Sequence, residues 1–177
     1  VWGSTETTGV ALMKPLGAKW KCGGIGLPCP HYNIRLVNDT GEEAAEGEVG
    51  EMLVNGPGVC SSYLNSPEET AKHMKGGWFS PADQFTRDGD GYFHFVGRES
   101  RMIKSAGLKI YPGEIEDVLC SHPAVAEIAV IKADDTSHGE IPVAVVALRR
   151  GAGADEAELS RYCDGRLASY KIPSTFR

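Results

Sequence analysis

The chain has 177 residues and a mass of 19.0 kDa, with 18 Lys and Arg against 24 Asp and Glu for a formal charge of −6. Folding at this length buries about 70% of the surface of the unfolded chain, enough for a core without disulfides or metals. A composition of 41% hydrophobic and 24% charged residues excludes a disordered polymer. The acidic balance, with a pI near 5.4, excludes a non-specific nucleic-acid binder, which needs a basic face.

The longest apolar run, residues 141–148, has the length of a strand and falls far short of the ~20 residues of a membrane-spanning helix. Cys22, Cys29, Cys60, Cys120 and Cys163 form no C-x-x-C pair and have no His at metal-ligand spacing. They therefore read as small half-buried or buried thiols in a reducing cytoplasm. The chain opens on Val1 with no leader pattern, and its first residues already lie inside a motif, so a fragment of a longer protein is expected.

Residues 1–97 are rich in strand and turn signals. Alternation over 33–38 predicts a strand, followed by the turn residues Asn38-Asp39-Thr40-Gly41, and a second strand is expected over 47–55. Ser66-Pro67-Glu68-Glu69 predicts a helix with Ser66 as N-cap, which Gly76-Gly77 is expected to stop. Asp88-Gly89-Asp90-Gly91 lacks the third oxygen position and closing Glu of a calcium loop, and reads as a hairpin turn.

From residue 98 onward the pattern becomes α+β. Ile115, Val118 and Leu119 share one face of a predicted helix over 112–120, which His122-Pro123 ends. Strands are expected over 127–132 and 142–149, joined by a polar connection over 134–139. A last helix is predicted from a cap at Asp155 with Glu158, carrying Leu159, Tyr162, Cys163, Leu167 and Tyr170 as its stripe and closed by Pro173.

Three stretches can carry chemistry. In Trp2-Gly3-Ser4-Thr5-Glu6-Thr7-Thr8-Gly9, backbone N–H groups and hydroxyls can meet a phosphate while the carboxylate holds Mg2+; the same residues can also form an ordinary polar loop. In Gly77-Trp78-Phe79-Ser80-Pro81-Ala82-Asp83, the carboxylate is suited either to ribose hydroxyls or to capping a turn. Between Gly97 and Glu116, Arg98, Arg101, Lys104 and Lys109 place four cations in twelve residues around the small run Ser105-Ala106-Gly107. They fit either an anionic ligand or a solvated charged hairpin. His31, His73, His94, His122 and His138 have no nucleophile-and-acid pattern around them.

Together and in this order, the three stretches resemble the adenylate-forming (AMP-binding) superfamily of acyl-CoA synthetases, luciferases and peptide-synthetase adenylation domains. The first is similar to its aromatic-Gly-x-Thr-Glu motif and the second to Gly-Trp-x-x-Thr-Gly-Asp. The third is similar to its Gly-Arg-x-x-x-x-Ile-Lys-x-x-Gly-x-x-Ile-x-Pro-x-Glu-Ile-Glu motif, matched at Gly97, Arg98, Ile103, Lys104, Gly107, Ile110, Pro112, Glu114, Ile115 and Glu116. The likeness continues through His122-Pro123-Ala124-Val125 and Tyr170-Lys171-Ile172-Pro173.

The resemblance implies a mixed α+β fold: residues 1–97 as the β-rich end of a large AMP-binding domain and 98–177 as a small mobile C-terminal domain. It implies an ATP-dependent acid–thiol ligase that forms an acyl-adenylate and then an acyl-CoA thioester, with a carboxylic acid, ATP and coenzyme A as substrates and Mg2+ as cofactor. Trp2, Gly3, Ser4, Thr5, Asp83 and Arg98 would bind the nucleotide, with Trp2 against adenine, Thr5 near the phosphate and Asp83 on the ribose. Glu6 would hold Mg2+, and Thr5, Glu6 and Lys104 would form the catalytic set. Ser100 would be the hinge, and Ala106 and Gly107 would flank the pantetheine of coenzyme A.

The family's phosphate loop would precede Val1 and its adenylation lysine would follow Arg177, so this chain alone is expected to be inactive in adenylation. Three positions depart from the pattern: Trp2 stands for Tyr, Ser80-Pro81-Ala82 for x-Thr-Gly, and Ser100 for Asp or Lys. Transfer to a carrier-protein thiol, or a degenerate nucleotide-binding module without catalysis, are the alternatives.

Overall fold

The computed structural model describes residues 1–18 and 23–177, and its chain divides into two compact units, Val1–Glu99 and Ser100–Arg177. Cys22 lies outside the described residues; Cys29, Cys60 and Cys163 are free thiols, half-buried or buried as expected, whereas the free thiol of Cys120 is exposed, at the last residue of a surface helix.

The first unit carries β1 (Trp2–Ser4), β2 (Gly9–Met13), β3 (Gly24–Pro28), β4 (Asn33–Val37), β5 (Gly50–Asn55), helix α1 (Pro67–His73), β6 (Met74–Lys75), β7 (Trp78–Phe79), β8 (Asp83–Arg87) and β9 (Phe93–Arg98). The strands form an antiparallel sheet in the order β1-β2-β3-β9-β8-β5-β7-β6, with β4 paired to β5. Strand alternation sets its core. Met52 and Val54 of β5 and Phe85 of β8 point inward with Leu12, Leu36 and Phe93. The same two-residue period turns Asp83 to the side of Phe85, so a carboxylate starts β8 on the buried face.

Several expected boundaries move. The strand predicted over 47–55 begins at Gly50, because residues 45–48 form a turn in which Glu48 accepts from the N–H of Ala45 at 2.7 Å. Ser66 precedes α1 but makes no side-chain cap; its carbonyl accepts from the N–H and hydroxyl of Thr70. The helix stops at His73, and Gly76-Gly77 instead build the turn between β6 and β7, where Lys75 faces Trp78.

The second unit carries β10 (Ile103–Ser105), β11 (Leu108–Ile110), α2 (Pro112–Cys120), β12 (Val125–Asp135), β13 (Gly139–Leu148), α3 (Glu156–Cys163) and β14 (Thr175–Phe176). Its sheet runs β11-β10-β13-β12, with β14 parallel to β13. Helix α2 has the predicted bounds: Ile115 and Leu119 are fully buried, and Val118 packs on the same cluster. Strands β12 and β13 run longer than expected, in register from Glu127 opposite Ala147 to Asp135 opposite Gly139. The expected polar connection shrinks to a tight turn, closed by Asp135 accepting from the N–H groups of Ser137 and His138.

Asp155 caps α3 as predicted, accepting from the N–H of Glu158 at 2.7 Å. The helix ends eight residues in, where Asp164 takes ψ 130°; Leu167 enters the core from the following loop, and Tyr170 lies exposed in a 3-10 turn. Pro173 therefore closes no helix. Replacing Leu119 with Ala removes a side chain from the centre of this core, and should cost about 2–5 kcal/mol of unfolding free energy in a urea titration.

Candidate functional site

The first motif is a strand, a tight turn and a returning strand. β1 and β2 pair through a bulge between Trp2 and Gly3, which brings the backbones so close that a Cβ on Gly3 would sit 2.1 Å from the carbonyl oxygen of Gly9. Gly3 is thus required by packing. The turn is fastened by Thr7, which is fully buried: its hydroxyl accepts from the N–H of Ser4 at 2.9 Å and lies 2.7 Å from the carbonyl of Gly9. Tyr32 holds the Thr7 carbonyl with its phenol. With Thr7 turned inward, Thr5 is exposed and Glu6 half buried. Ser4 Oγ is buried with no hydrogen-bond partner among the described residues.

Glu6 is held from outside its own motif. The Tyr63 hydroxyl donates to Glu6 Oε1 at 2.8 Å, and the N–H of Cys60 donates to the Glu6 carbonyl at 2.8 Å. Burial alone raises the Glu6 pKa, but the bonds from Tyr63 and from its own backbone outweigh it and hold the carboxyl below its ordinary value. Conversely, burial and the facing Glu6 carboxylate push the Tyr63 phenol up to about 12. Tyr63 carries no signal in the sequence; only the fold brings it to Glu6.

Asp83 is 2% exposed. The indole N–H of Trp2 donates to its Oδ2 at 2.9 Å, and the Trp2 ring stands edge-on to Phe85. Arg98 is its cross-strand neighbour, and the guanidinium Nε lies 3.0 Å from Oδ1. That ion contact is not aligned as a hydrogen bond, so Oδ1 stays a buried acceptor with no hydrogen-bond partner among the described residues. The Arg98 side chain is 64% exposed and reaches from the buried acid to solvent. The turn into Asp83 puts Ala82 at φ 59°, a left-handed conformation that a Cβ disfavours. Trp2, Asp83 and Arg98 thus form one cluster, the acid acting neither as helix cap nor as turn cap.

In the second unit, Ser100 is exposed within a one-turn 3-10 helix, Glu99–Arg101. Lys104 is exposed on β10, and its N–H donates to Glu140 Oε2 at 2.7 Å. This bond, with Lys132 at 3.1 Å, lowers the Glu140 pKa. Ala106 and Gly107 are the two-residue loop of the β10–β11 hairpin, with φ 47° and 82°. Positive φ at both positions is the geometry of a type I′ turn, so the small residues have a structural reason to be there. Glu116 binds Arg101 at 2.8 Å and accepts from the N–H of Val130 at 2.9 Å. Glu114 holds Lys171 at 2.6 Å; burial lowers the Lys171 pKa, but this carboxylate more than reverses it and keeps the lysine firmly charged.

Residues 1–64 match the family described as AMP-binding enzyme, and residues 114–177 match the AMP-binding enzyme C-terminal domain. The chain belongs to the adenylate-forming enzymes. It is 41% identical over 174 residues to an indoleacetate–CoA ligase of Aromatoleum aromaticum, covering 98% of the chain and 34% of that protein. It is 40% identical over 174 residues to a 2-succinylbenzoate–CoA ligase of Geobacillus kaustophilus, covering 98% of the chain and 35% of the relative.

Among solved structures, ATP-bound MatB from Rhodopseudomonas palustris superimposes with a TM-score of 0.91 at 34% identity, over 99% of this chain and 35% of that one. The o-succinylbenzoate CoA synthetase of Bacillus subtilis with its acyl-adenylate gives 0.89 at 37% identity, over 98% and 36%. The chain spans about a third of the length of the relatives it matches.

Two of the departures from the family's pattern sit in the Asp83 cluster. Trp2 brings an indole N–H to the acid, and Ala82 stands in a conformation that glycine adopts freely. Trp2→Phe keeps an aromatic side chain, though a smaller one than the indole, and strips a donor from a buried carboxylate; it should cost about 1–3 kcal/mol in a denaturant titration. Ala82→Gly should instead raise stability, by about 1 kcal/mol in the same measurement, because the left-handed strain is relieved.

Proposed function

We propose that the chain is part of an ATP-dependent carboxylic acid–CoA ligase, with residues 1–97 from the large AMP-binding domain and 98–177 forming the mobile C-terminal domain. The observation that carries this reading is the buried Asp83 with an unbonded oxygen, beside an indole and a guanidinium. That oxygen has an ion contact with Arg98 but room for an aligned donor, and a ribose hydroxyl is a donor of the right chemistry. Trp2 would offer its ring surface to adenine, with Gly3 and Ser4 shaping the adjoining backbone. Arg98 would reach the ribose or phosphate, and the exposed Thr5 hydroxyl would donate to phosphate.

Glu6 fits magnesium. Its carboxylate is held ionised, and Mg2+ in nucleotide sites takes one or two carboxylates together with phosphate and water. When bound, Mg2+ would neutralise phosphate charge as the acid's carboxylate attacks the α-phosphorus and pyrophosphate leaves. Lys104, Ala106 and Gly107 would act in the thioester-forming state, the lysine near the reacting groups and the small turn beside pantetheine. Ser100 would be the pivot.

Two measurements test this. AMP binding by isothermal calorimetry should weaken at least about tenfold in Asp83→Asn, and 2′,3′-dideoxy-AMP should show little of that loss. Equal binding of both nucleotides to both proteins would remove the ribose role. The protein encoded by the whole open reading frame should catalyse carboxylate-dependent ATP–pyrophosphate exchange and release an acyl-CoA thioester. Exchange with no thioester to free coenzyme A, but with acyl loading of a carrier protein, would favour the carrier-protein alternative.

A further inference from the structure

We propose that Tyr63 is a positioning residue that orients the Glu6 carboxylate toward the metal-bound nucleotide, an inference that rests on the assignment of Glu6 to magnesium made above. The geometry is a brace of three layers. The Tyr63 hydroxyl donates to Glu6 Oε1 at 2.8 Å. The tyrosine is itself fixed at both ends: its N–H donates to Thr70 Oγ1 at 2.9 Å, and its ring meets His73 edge-on at 6.3 Å. His73 is anchored in turn, with Nδ1 2.8 Å from the carbonyl of Ser80 and Nε2 3.5 Å from Glu69. Helix α1, which supplies Thr70 and His73, thus has a use that its sequence did not announce.

A flexible glutamate on an exposed turn samples several rotamers, each aiming its charge differently. A rigid donor at one oxygen leaves one direction for the other. Tyr63 also lines a cleft of about 310 Å3 with Leu64, Ser66, Glu69 and His73, so its ring is a wall of the surface and not a piece of the core. The hydroxyl can therefore be removed with little loss of packing.

The test separates metal-dependent from metal-free binding in the present chain. Tyr63→Phe keeps the ring against His73 and removes only the donor. Binding of ATP with Mn2+ as reporter ion, followed by water-proton relaxation, should weaken about tenfold, the scale of one hydrogen bond to a charged group. Metal-free AMP, measured by calorimetry, should bind within twofold of the parent chain. Parallel losses for both ligands would mean that Tyr63 merely supports the fold, and no loss for either would mean that Glu6 needs no brace; both overturn the proposal.

Glu6→Gln, measured alongside, distinguishes the two levels. If it abolishes the Mn2+-dependent gain while Tyr63→Phe does not touch it, only the brace fails. If Glu6→Gln binds Mn2+ and ATP as the parent does, or the parent shows no metal-dependent gain, the magnesium assignment fails and the brace with it. Should Tyr63→Phe not fold, uniform 3-fluorotyrosine labelling gives a second route in the unmutated chain. The 19F resonance of residue 63 should move on adding Mg2+ with ATP and stay in place with metal-free AMP, and an unmoved resonance in both cases overturns the proposal.

Discussion

The buried carboxylate of Asp83 is the constraint on which the rest of the first unit turns. A carboxyl group at 2% exposure has lost most of its hydration, and only close charged or polar partners can replace it. The fold supplies them from both directions: an indole N–H from the first strand of the chain, and a guanidinium from the strand beside it. The acid thereby ties β1 to the β8–β9 pair, although β1 and β8 are not neighbours in the sheet. The compensation is incomplete, because one oxygen has an ion contact but no aligned donor. On the proposed function, that oxygen is the one that would take a donor brought by the nucleotide.

The motif residues divide by physical task. In the first motif, Gly3 and Thr7 make the turn possible, one by lacking a Cβ and the other by spending its hydroxyl on backbone groups. Thr5 is thereby left exposed and Glu6 half buried, its carboxylate against Tyr63. In the third motif the division repeats. Glu114 and Glu116 are occupied with Lys171, Arg101 and the N–H of Val130, which pins α2 to the elements around it, while Lys104 keeps an exposed side chain. Glu114 and Glu116 carry much of the family resemblance, yet their contacts are architectural.

What the sequence disclosed follows from the range of the forces involved. Helix α2 was legible residue for residue, because Pro112 starts it and the spacing of Ile115, Val118 and Leu119 is a local pattern. The β12–β13 hairpin was legible as two strands but not in length, since its outer residues are held by cross-strand pairing and not by their own alternation. The stripe through Leu167 and Tyr170 misled because an apolar residue at helical spacing reaches a core equally well from a loop. At the candidate site, the three stretches holding Trp2, Glu6, Asp83 and Arg98 stood out in the sequence, and the roles expected of these residues came from resemblance to a family. No role was expected of Tyr63 or Thr7: a tyrosine 57 residues from its acid leaves no trace in spacing.

Charge gives the last step. The motif residues of the first unit bring two carboxylates, Glu6 and Asp83, and one guanidinium, Arg98, and that guanidinium is already in contact with Asp83. On the proposed function, a triphosphate approaching these three residues meets one acid, Glu6, that the Arg98 guanidinium does not contact. Coulomb repulsion between a free polyanion and that acid works against binding, and a divalent cation shared between them reverses the sign. On the proposed function, Glu6 then serves recognition as well as chemistry: it makes the bare nucleotide a poor ligand and the magnesium complex a good one. Such discrimination requires that the carboxylate stay ionised and fixed in direction. The lowered Glu6 pKa meets the first condition and the bond from Tyr63 the second.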